Sequence, residues 1–493
     1  MADFKLTRRE FVKGCCSAAL VGTTGSSLMF ADDAVAAANS YDTVVHLFLR
    51  GGLDGLNLVL PTSGADRTFY EQARPNLAIA ASGTYGALPL TLTGGAATGF
   101  GLHPSATGLR DLWNDGKLAI VHACGLATIV TRSHFDAQLF IDMGTPGKVG
   151  SGTGWMTRAW DSRPASTPAA ILPALGVSGT QPAGLVGATD ALTMSSPRDF
   201  GLNSGAYQWQ QVREGSPAGF KGMNETLADL WSGRTGIELN GRRAEEALRT
   251  IGRQAYAALP ATWPTGGFAD QLWTIAQSIR FNLGLRFATL DLGGWDTHEN
   301  QGTAGAGFSY YQNKIAELSA ALTAFYTELN NSGNMSRVTV IVQSEFGRRV
   351  RENANRGTDH GYGNPLLVLG GPVNGRRFYG NWPGLNPETL SATFGDVPVK
   401  TDYRRVFSEI MIRRMANPKL DAVFPGYAGY SPLGIVQGTD LAPQMAAAAA
   451  SMASPSSFAG TAQVQADASA PEPETAGWRL RGRGDRVLAR RER

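Results

Sequence analysis

Between Gly293 and Gln301, Asp296 and His298 stand two residues apart, directly after the apolar run Leu285–Leu292. In extended backbone, side chains at i and i+2 share a face, so this carboxylate and imidazole could hold one ion between them. Residues of the same chemical kinds recur in four other places. Asp54 lies among glycines in Arg50–Asn57, Ser133 precedes His134 and Asp136, Glu345 closes the run after Val338–Val342, and Asp359 adjoins His360. Oxygen and imidazole ligands around a serine hydroxyl form a coherent set for divalent-metal hydrolysis of an anionic ester. Each residue also has a plainer reading. Asp54-Gly55 is a common turn pair, and Ser133 followed three residues later by Asp136 is a helix N-cap pattern.

The elements that would position these residues alternate between strand and helix. Apolar or β-branched runs at Thr43–Leu49, Leu118–Ala123, Leu285–Leu292, Val338–Val342 and Leu366–Leu369 read as buried strands. Helical patterns fall at Ser105–Asn114, Ser133–Met143, Phe268–Asn282, Tyr311–Asn330 and from Thr401 to Met415. Alternation of this kind predicts an α/β fold with a largely parallel central sheet, in which strand ends far apart in sequence meet along one edge. Residues 151–265, rich in Gly, Pro, Trp and Arg, read as an inserted cap over those ends, with helical patches at Asn224–Trp231 and Arg242–Leu259. Residues 441–493 read as a low-complexity, disordered tail.

The ends of the chain narrow its context. Thr7-Arg8-Arg9-Glu10-Phe11-Val12-Lys13, a modestly apolar run from Cys15 to Phe30, and the small residues Ala34–Ala38 together read as a twin-arginine (Tat) export signal over residues 1–38. Gly22 to Ser27 interrupt that run, which argues against a membrane anchor. Such a signal places the protein in the periplasm or outside the cell, with the Tat translocase and a signal peptidase as partners in transit. Proteins on this route cross already folded, which favours a metal acquired beforehand. The net charge of +3 is concentrated at the end of the chain, where Ala476–Arg493 carries seven Arg against Asp485 and Glu492. Nothing in the remainder suggests a nucleic-acid surface. Only Cys124 follows the signal, so an internal disulfide and a cysteine-based zinc site are both excluded.

The Phe48–Asn57 run, Ser133–Ala137, Gly294–Gln301, Ser344–Arg348 and Thr358–Gly361, behind the export signal, resemble the bacterial family DUF1501 from about Tyr41 to Gly426. That family is grouped with the alkaline phosphatase and sulfatase superfamily. The resemblance implies an α/β/α sandwich over residues 39–440 and metal-dependent hydrolysis of phosphate or sulfate esters. It also implies Asp54, Asp296, His298, Glu345, Asp359 and His360 as ligands of a divalent ion (zinc, calcium or magnesium) and Ser133 as the hydroxyl nucleophile. Arg348 or Arg132 would then neutralise developing charge. This chain departs from the superfamily's pattern in two ways: Asp296 and His298 are two apart rather than four, and Phe346 stands where a histidine is usual. A one-metal site, or a non-catalytic exported binding or assembly protein that keeps the fold, would fit those losses. His46, His103 and His122 read as structural, while His134 could orient the nucleophile or stack beneath its loop.

Overall fold

β-branched and apolar residues make Thr43–Leu49 (β1) a strand that is buried along its whole length. Strands buried on both faces read as nearly continuous apolar runs, because helices cover each side of the sheet. The computed structural model describes residues 41–148, 152–196, 229–235, 238, 254, 256–392 and 395–445. The export signal, the patch at Arg242–Leu259 apart from a few of its residues, most of the patch at Asn224–Trp231, and the tail beyond 445 lie outside the described residues.

Among the described residues, eleven further strands follow β1, the first six being β2 (Val59–Pro61), β3 (Leu88–Thr91), β4 (Ala97–Leu102), β5 (Leu118–Gly125), β6 (Ala174–Gly176) and β7 (Ala191–Thr193). The later ones are β8 (Phe287–Leu292), β9 (Val338–Ser344), β10 (Asn364–Gly370), β11 (Arg377–Tyr379) and β12 (Thr401–Asp402). Among the described residues, the main sheet runs β11-β5-β10-β9-β1-β8-β6-β7 with β12 also paired to β5, and β2-β4-β3 make a small separate sheet. The main sheet is mostly parallel. Only β10 runs against its neighbours β5 and β9.

The longer helices are α1 (Gly64–Ala73), α2 (Thr107–Asn114), α3 (His134–Met143), α4 (Trp155–Asp161), α5 (Gly267–Arg280), α6 (Tyr310–Asn331) and α7 (Tyr403–Arg413). In α6, Tyr311, Ile315, Leu318, Leu322, Phe325 and Leu329 recur at helical spacing and are all buried. Alternate residues of β1 divide between two cores: Val45, Leu47 and Leu49 pack with residues of α2, α5 and α6, while Val44 and Phe48 pack with those of α3, α4 and α7. The protein is therefore a mixed α/β fold with helices on both faces of a large, mostly parallel sheet. The stretch expected as a cap contributes β6 and β7 to the sheet itself. Strands of three residues are too short to show a period of two.

Register explains why the motifs meet. Leu49 of β1 is level with Leu292 of β8 and with Ser344 of β9, so the loops beginning at Arg50, Gly293 and Glu345 leave the sheet side by side. β5 points the same way and releases the segment carrying Ser133 at that edge, and the reversed β10 receives the segment carrying Asp359 and His360 there.

Among the expected structural histidines, His46 packs edge-on against Phe48, Trp155 and Phe407 and neither of its ring nitrogens has a hydrogen-bond partner. Burial, with a smaller effect of the Arg50 charge, pulls His46 down to about 3, and burial pulls His103 and His122 to about 4. A group held neutral in the fold but protonated near 6.5 when unfolded removes stability as pH falls below that value. Between about pH 7 and about pH 5, His46 alone is expected to remove about 2 kcal/mol, a loss His46→Leu should abolish when urea unfolding is compared at the two pH values.

Candidate metal centre

Asp296 follows the turn Gly293-Gly294, and its backbone runs so close to Gly51 that a Cβ there would lie 2.5 Å from the Asp296 nitrogen. Gly51 also has a φ of +121°, so only glycine fits both the conformation and the space. Arg348 secures this crossing. Its fully buried guanidinium donates from Nε to the Gly52 carbonyl, from Nη1 to that of Thr358, and from Nη2 to those of Gly51 and Trp295 and to Asp296 Oδ1 at 2.5 Å. Arg348, expected to face the substrate, is thus turned inward and holds Asp296 in position.

Three imidazoles surround the same carboxylate oxygen. His298 Nε2 lies 3.1 Å from Asp296 Oδ1, and the Nε2 atoms of His134 and His360 each lie 3.4 Å from it. The outer nitrogen of each ring is bound to an acceptor: His134 Nδ1 to Glu345 Oε1 at 2.7 Å, His298 Nδ1 to Asp359 Oδ1 at 3.2 Å, and His360 Nδ1 to the Arg132 carbonyl at 2.8 Å. Carboxylates and carbonyls only accept, so in each neutral ring Nδ1 carries the hydrogen and Nε2 presents a bare lone pair. His298 and His360 point these lone pairs at each other across 2.8 Å, and His134 Nε2 is buried without a hydrogen-bond partner. Such a contact calls for a cation between the rings, either a proton or a metal.

The arrangement fits a metal. A tetrahedral ion bonded at about 2.1 Å holds its ligand atoms roughly 3.4 Å apart, as His134 Nε2 and His360 Nε2 stand from Asp296 Oδ1, while His298 Nε2 lies nearer, 3.1 Å from Asp296 and 2.8 Å from His360. Metal-bound histidines also characteristically donate their second nitrogen to a carboxylate or carbonyl. His134, Asp296 and His360 group their ligand atoms within 4.8 Å of one another, and His298 joins them through Asp296.

Charge follows the same geometry. Burial pushes the Asp296 carboxyl up, but the Arg348 hydrogen bond and charge, helped by His134 and His298, outweigh it and hold the group at about 2. Burial pulls the His134 imidazole down, and Glu345 and Asp296 more than compensate, leaving it above its ordinary value. His360 is lowered, by burial first and then by the charges of Arg348, His134 and His298, against a raising bond to the Arg132 carbonyl.

Of the residues expected as ligands, Asp296, His298 and His360 therefore meet, while Glu345 and Asp359 stand one bond out, as orienting partners. Glu345 Oε1 also accepts from Gln138 Nε2 and the Gly51 N–H. Asp54 is not brought to the group. Its carboxylate is completely buried, receives both terminal nitrogens of Arg74 at 2.6 and 2.9 Å, and accepts from Gln301 Nε2. Phe346 packs its ring against His134 and His360, forming an apolar wall. Ser133 caps α3, its Oγ accepting from the Asp136 N–H at 3.3 Å. His134, which the sequence offers as an orienter of the nucleophile or a ring stacked beneath its loop, instead turns Nε2 toward Asp296. Its one local signal was its place beside a serine at a strand-to-helix junction.

The family model described as "Protein of unknown function (DUF1501)" matches residues 242–414, a span that holds Asp296, His298, Glu345, Arg348, Asp359 and His360 but not Ser133 or His134. No curated protein sequence matches the chain. Solved structures show distant likenesses. The lipoteichoic acid synthase LtaP from Listeria monocytogenes is 10% identical, with 82% of this chain and 76% of that one covered at a TM-score of 0.30. The PsFucS1 sulfatase from Pseudoalteromonas sp. is 10% identical, with 82% and 74% covered at 0.29. The phosphonate monoester hydrolase SpPMH from Silicibacter pomeroyi is 10% identical, with 79% and 77% covered at 0.27.

Proposed function

We propose that the protein is a metal-dependent hydrolase of phosphate or sulfate esters, with its ion held by His134, Asp296, His298 and His360. The observation that carries this reading is the convergence of three imidazole lone pairs on one carboxylate oxygen, each ring oriented from behind by an acceptor. Three imidazoles and one carboxylate suit zinc or a neighbouring transition metal better than calcium or magnesium, which favour oxygen. When bound, the ion supplies charge that polarises an ester oxygen and offsets the charge that develops on it.

The chain's own residues supply position. Glu345 and Asp359 fix the His134 and His298 rings, Arg348 fixes Asp296, and Phe346 keeps water from one side. Ser133 is the attacking hydroxyl, one residue before a ligand and at the N-terminus of α3, where free N–H groups and the helix dipole favour anionic oxygen. Its Oγ gives up its proton as it bonds to phosphorus or sulfur, the bond to the ester oxygen breaks and the departing alcohol takes up a proton, and water then cleaves the serine ester, restoring the hydroxyl and releasing phosphate or sulfate. In this reading the chain is exported through the Tat route, with the translocase and signal peptidase as transit partners. Among the described residues, no helix is long and apolar enough to cross a membrane.

The test is metal analysis of protein purified from its native host, joined to turnover of aryl phosphates and aryl sulfates. Ser133→Ala is expected to lower kcat on the order of a thousandfold while leaving metal content unchanged. Unchanged turnover in that variant would move the attack to water. A metal-bound protein that turns over neither ester class would favour the non-catalytic binding protein instead.

A further inference from the structure

β5 carries one residue more than β10 where the two strands pair. Cys124 is level with Asn364 and Val121 with Leu366, so His122 and Ala123 together face the single Pro365, which has no N–H to offer. Ala123 takes a φ of +47°, a strained conformation for a residue with a side chain. The bulge puts Val121 and Cys124, three apart, into one core. It leaves the His122 ring among Phe378, stacked at 4.3 Å, Phe100 at 4.9 Å and Trp382 at 5.1 Å. His122 is 5% exposed, and among the described residues no hydrogen bond reaches its ring nitrogens. Stacking accounts for the faces of the ring but not for two bare nitrogens in a buried place.

A cavity of about 20 Å³ opens beside that ring, with Asn364, Leu56, Val59, Pro365 and Trp382 among its other walls. Asn364 Nδ2 is spent on the carbonyls of Leu53 and Phe346, each at 3.1 Å, which leaves Oδ1 to accept. The His122 ring, held neutral by burial, adds one donor and one acceptor. Arg348 also lines the space, but its charge is matched by Asp296 at 2.5 Å. A single buried water needs roughly 10–15 Å³ and about three polar partners. The cavity exceeds that volume, while its two polar side chains serve one hydroxyl and its remaining side-chain walls are apolar.

We infer that this cavity is a binding site separate from the metal centre, for a short neutral alcohol whose hydroxyl bonds to His122 and Asn364 and whose carbons lie against Leu56, Val59 and Trp382. The inference does not depend on the hydrolase reading. A charged ligand of the same size would lose its hydration and find no opposite charge to replace it.

The experiment is titration of ethanol onto the metal-loaded full chain, isotopically labelled at the histidine ring nitrogens and read by magnetic resonance from the signal that His122→Phe removes. That signal is expected to shift saturably, with a dissociation constant of about 1 mM or weaker, the ceiling for a ligand of three non-hydrogen atoms. Val59→Ile narrows the cavity by one methylene and leaves His122 in place, so it should weaken ethanol binding about tenfold. Acetate and ethylammonium, of like size but charged, should leave the signal unmoved. The absence of a saturable shift with ethanol, the result for a cavity that holds water alone, overturns the inference. Equal ethanol affinity in Val59→Ile and wild type, or tighter binding of acetate than of ethanol, overturns it as well.

Discussion

His134→Ala is expected to lower metal affinity by more than about a hundredfold, because changes to orienting partners alone already cost roughly 10- to 100-fold and His134 would touch the ion directly. The ring is 20% exposed and sits at the first turn of α3, so its removal should leave the fold intact. Glu345→Gln provides the graded comparison. It keeps an acceptor for His134 Nδ1 but removes the charge, and affinity should fall by roughly 10- to 100-fold. Competition with a chromogenic chelator reads both variants. Equal metal affinity in His134→Ala and wild type would remove His134 from the centre.

The second large effect concerns stability. Arg74→Met is expected to destabilise the fold by about 3–5 kcal/mol, the cost of leaving a buried charge without its partner. Asp54 would keep only Gln301 as a side-chain donor, and the carbonyls of Arg349 and Val350, which also accept from Arg74, would lose theirs. Removing both charges in Asp54→Leu/Arg74→Met should recover a large part of the loss, because the desolvation cost disappears with the pair. Urea midpoints at constant slope measure it. The same variants separate two roles for Asp54. Asp54→Asn should keep its metal, since the carboxylate is spent on Arg74, whereas a metal-binding Asp54 would lose it.

The sheet was legible where burial on two faces writes itself as continuous apolar sequence, in β1, β8 and β9. The helix α6 was legible through its 3.6 period. β6 and β7 were not, because three residues leave no pattern to read. At the centre, the two-residue spacing of Asp296 and His298 carried a true geometric message, since both reach the same point. Residue type could not say which acid takes the inner place. Asp54, Glu345, Asp359 and Asp296 look alike in one dimension, and only Asp296 faces the imidazole lone pairs. The partner of Asp54 lies twenty residues on, beyond α1, and no local rule joins the two. Arg348 shows the same limit: its sequence position at a strand end suggested the substrate, while four of its acceptors are backbone carbonyls and the fifth is Asp296 Oδ1 itself.

The central claim is that one ion is held where three histidines meet Asp296. Anomalous diffraction from crystals of protein purified from its native host tests it most directly. The account predicts one anomalous peak about 2.1 Å from Nε2 of His134, His298 and His360 and from Oδ1 of Asp296, with none beside Asp54. A fully occupied peak at Asp54, or no peak at the histidines in a protein that hydrolyses phosphate or sulfate esters, would contradict it.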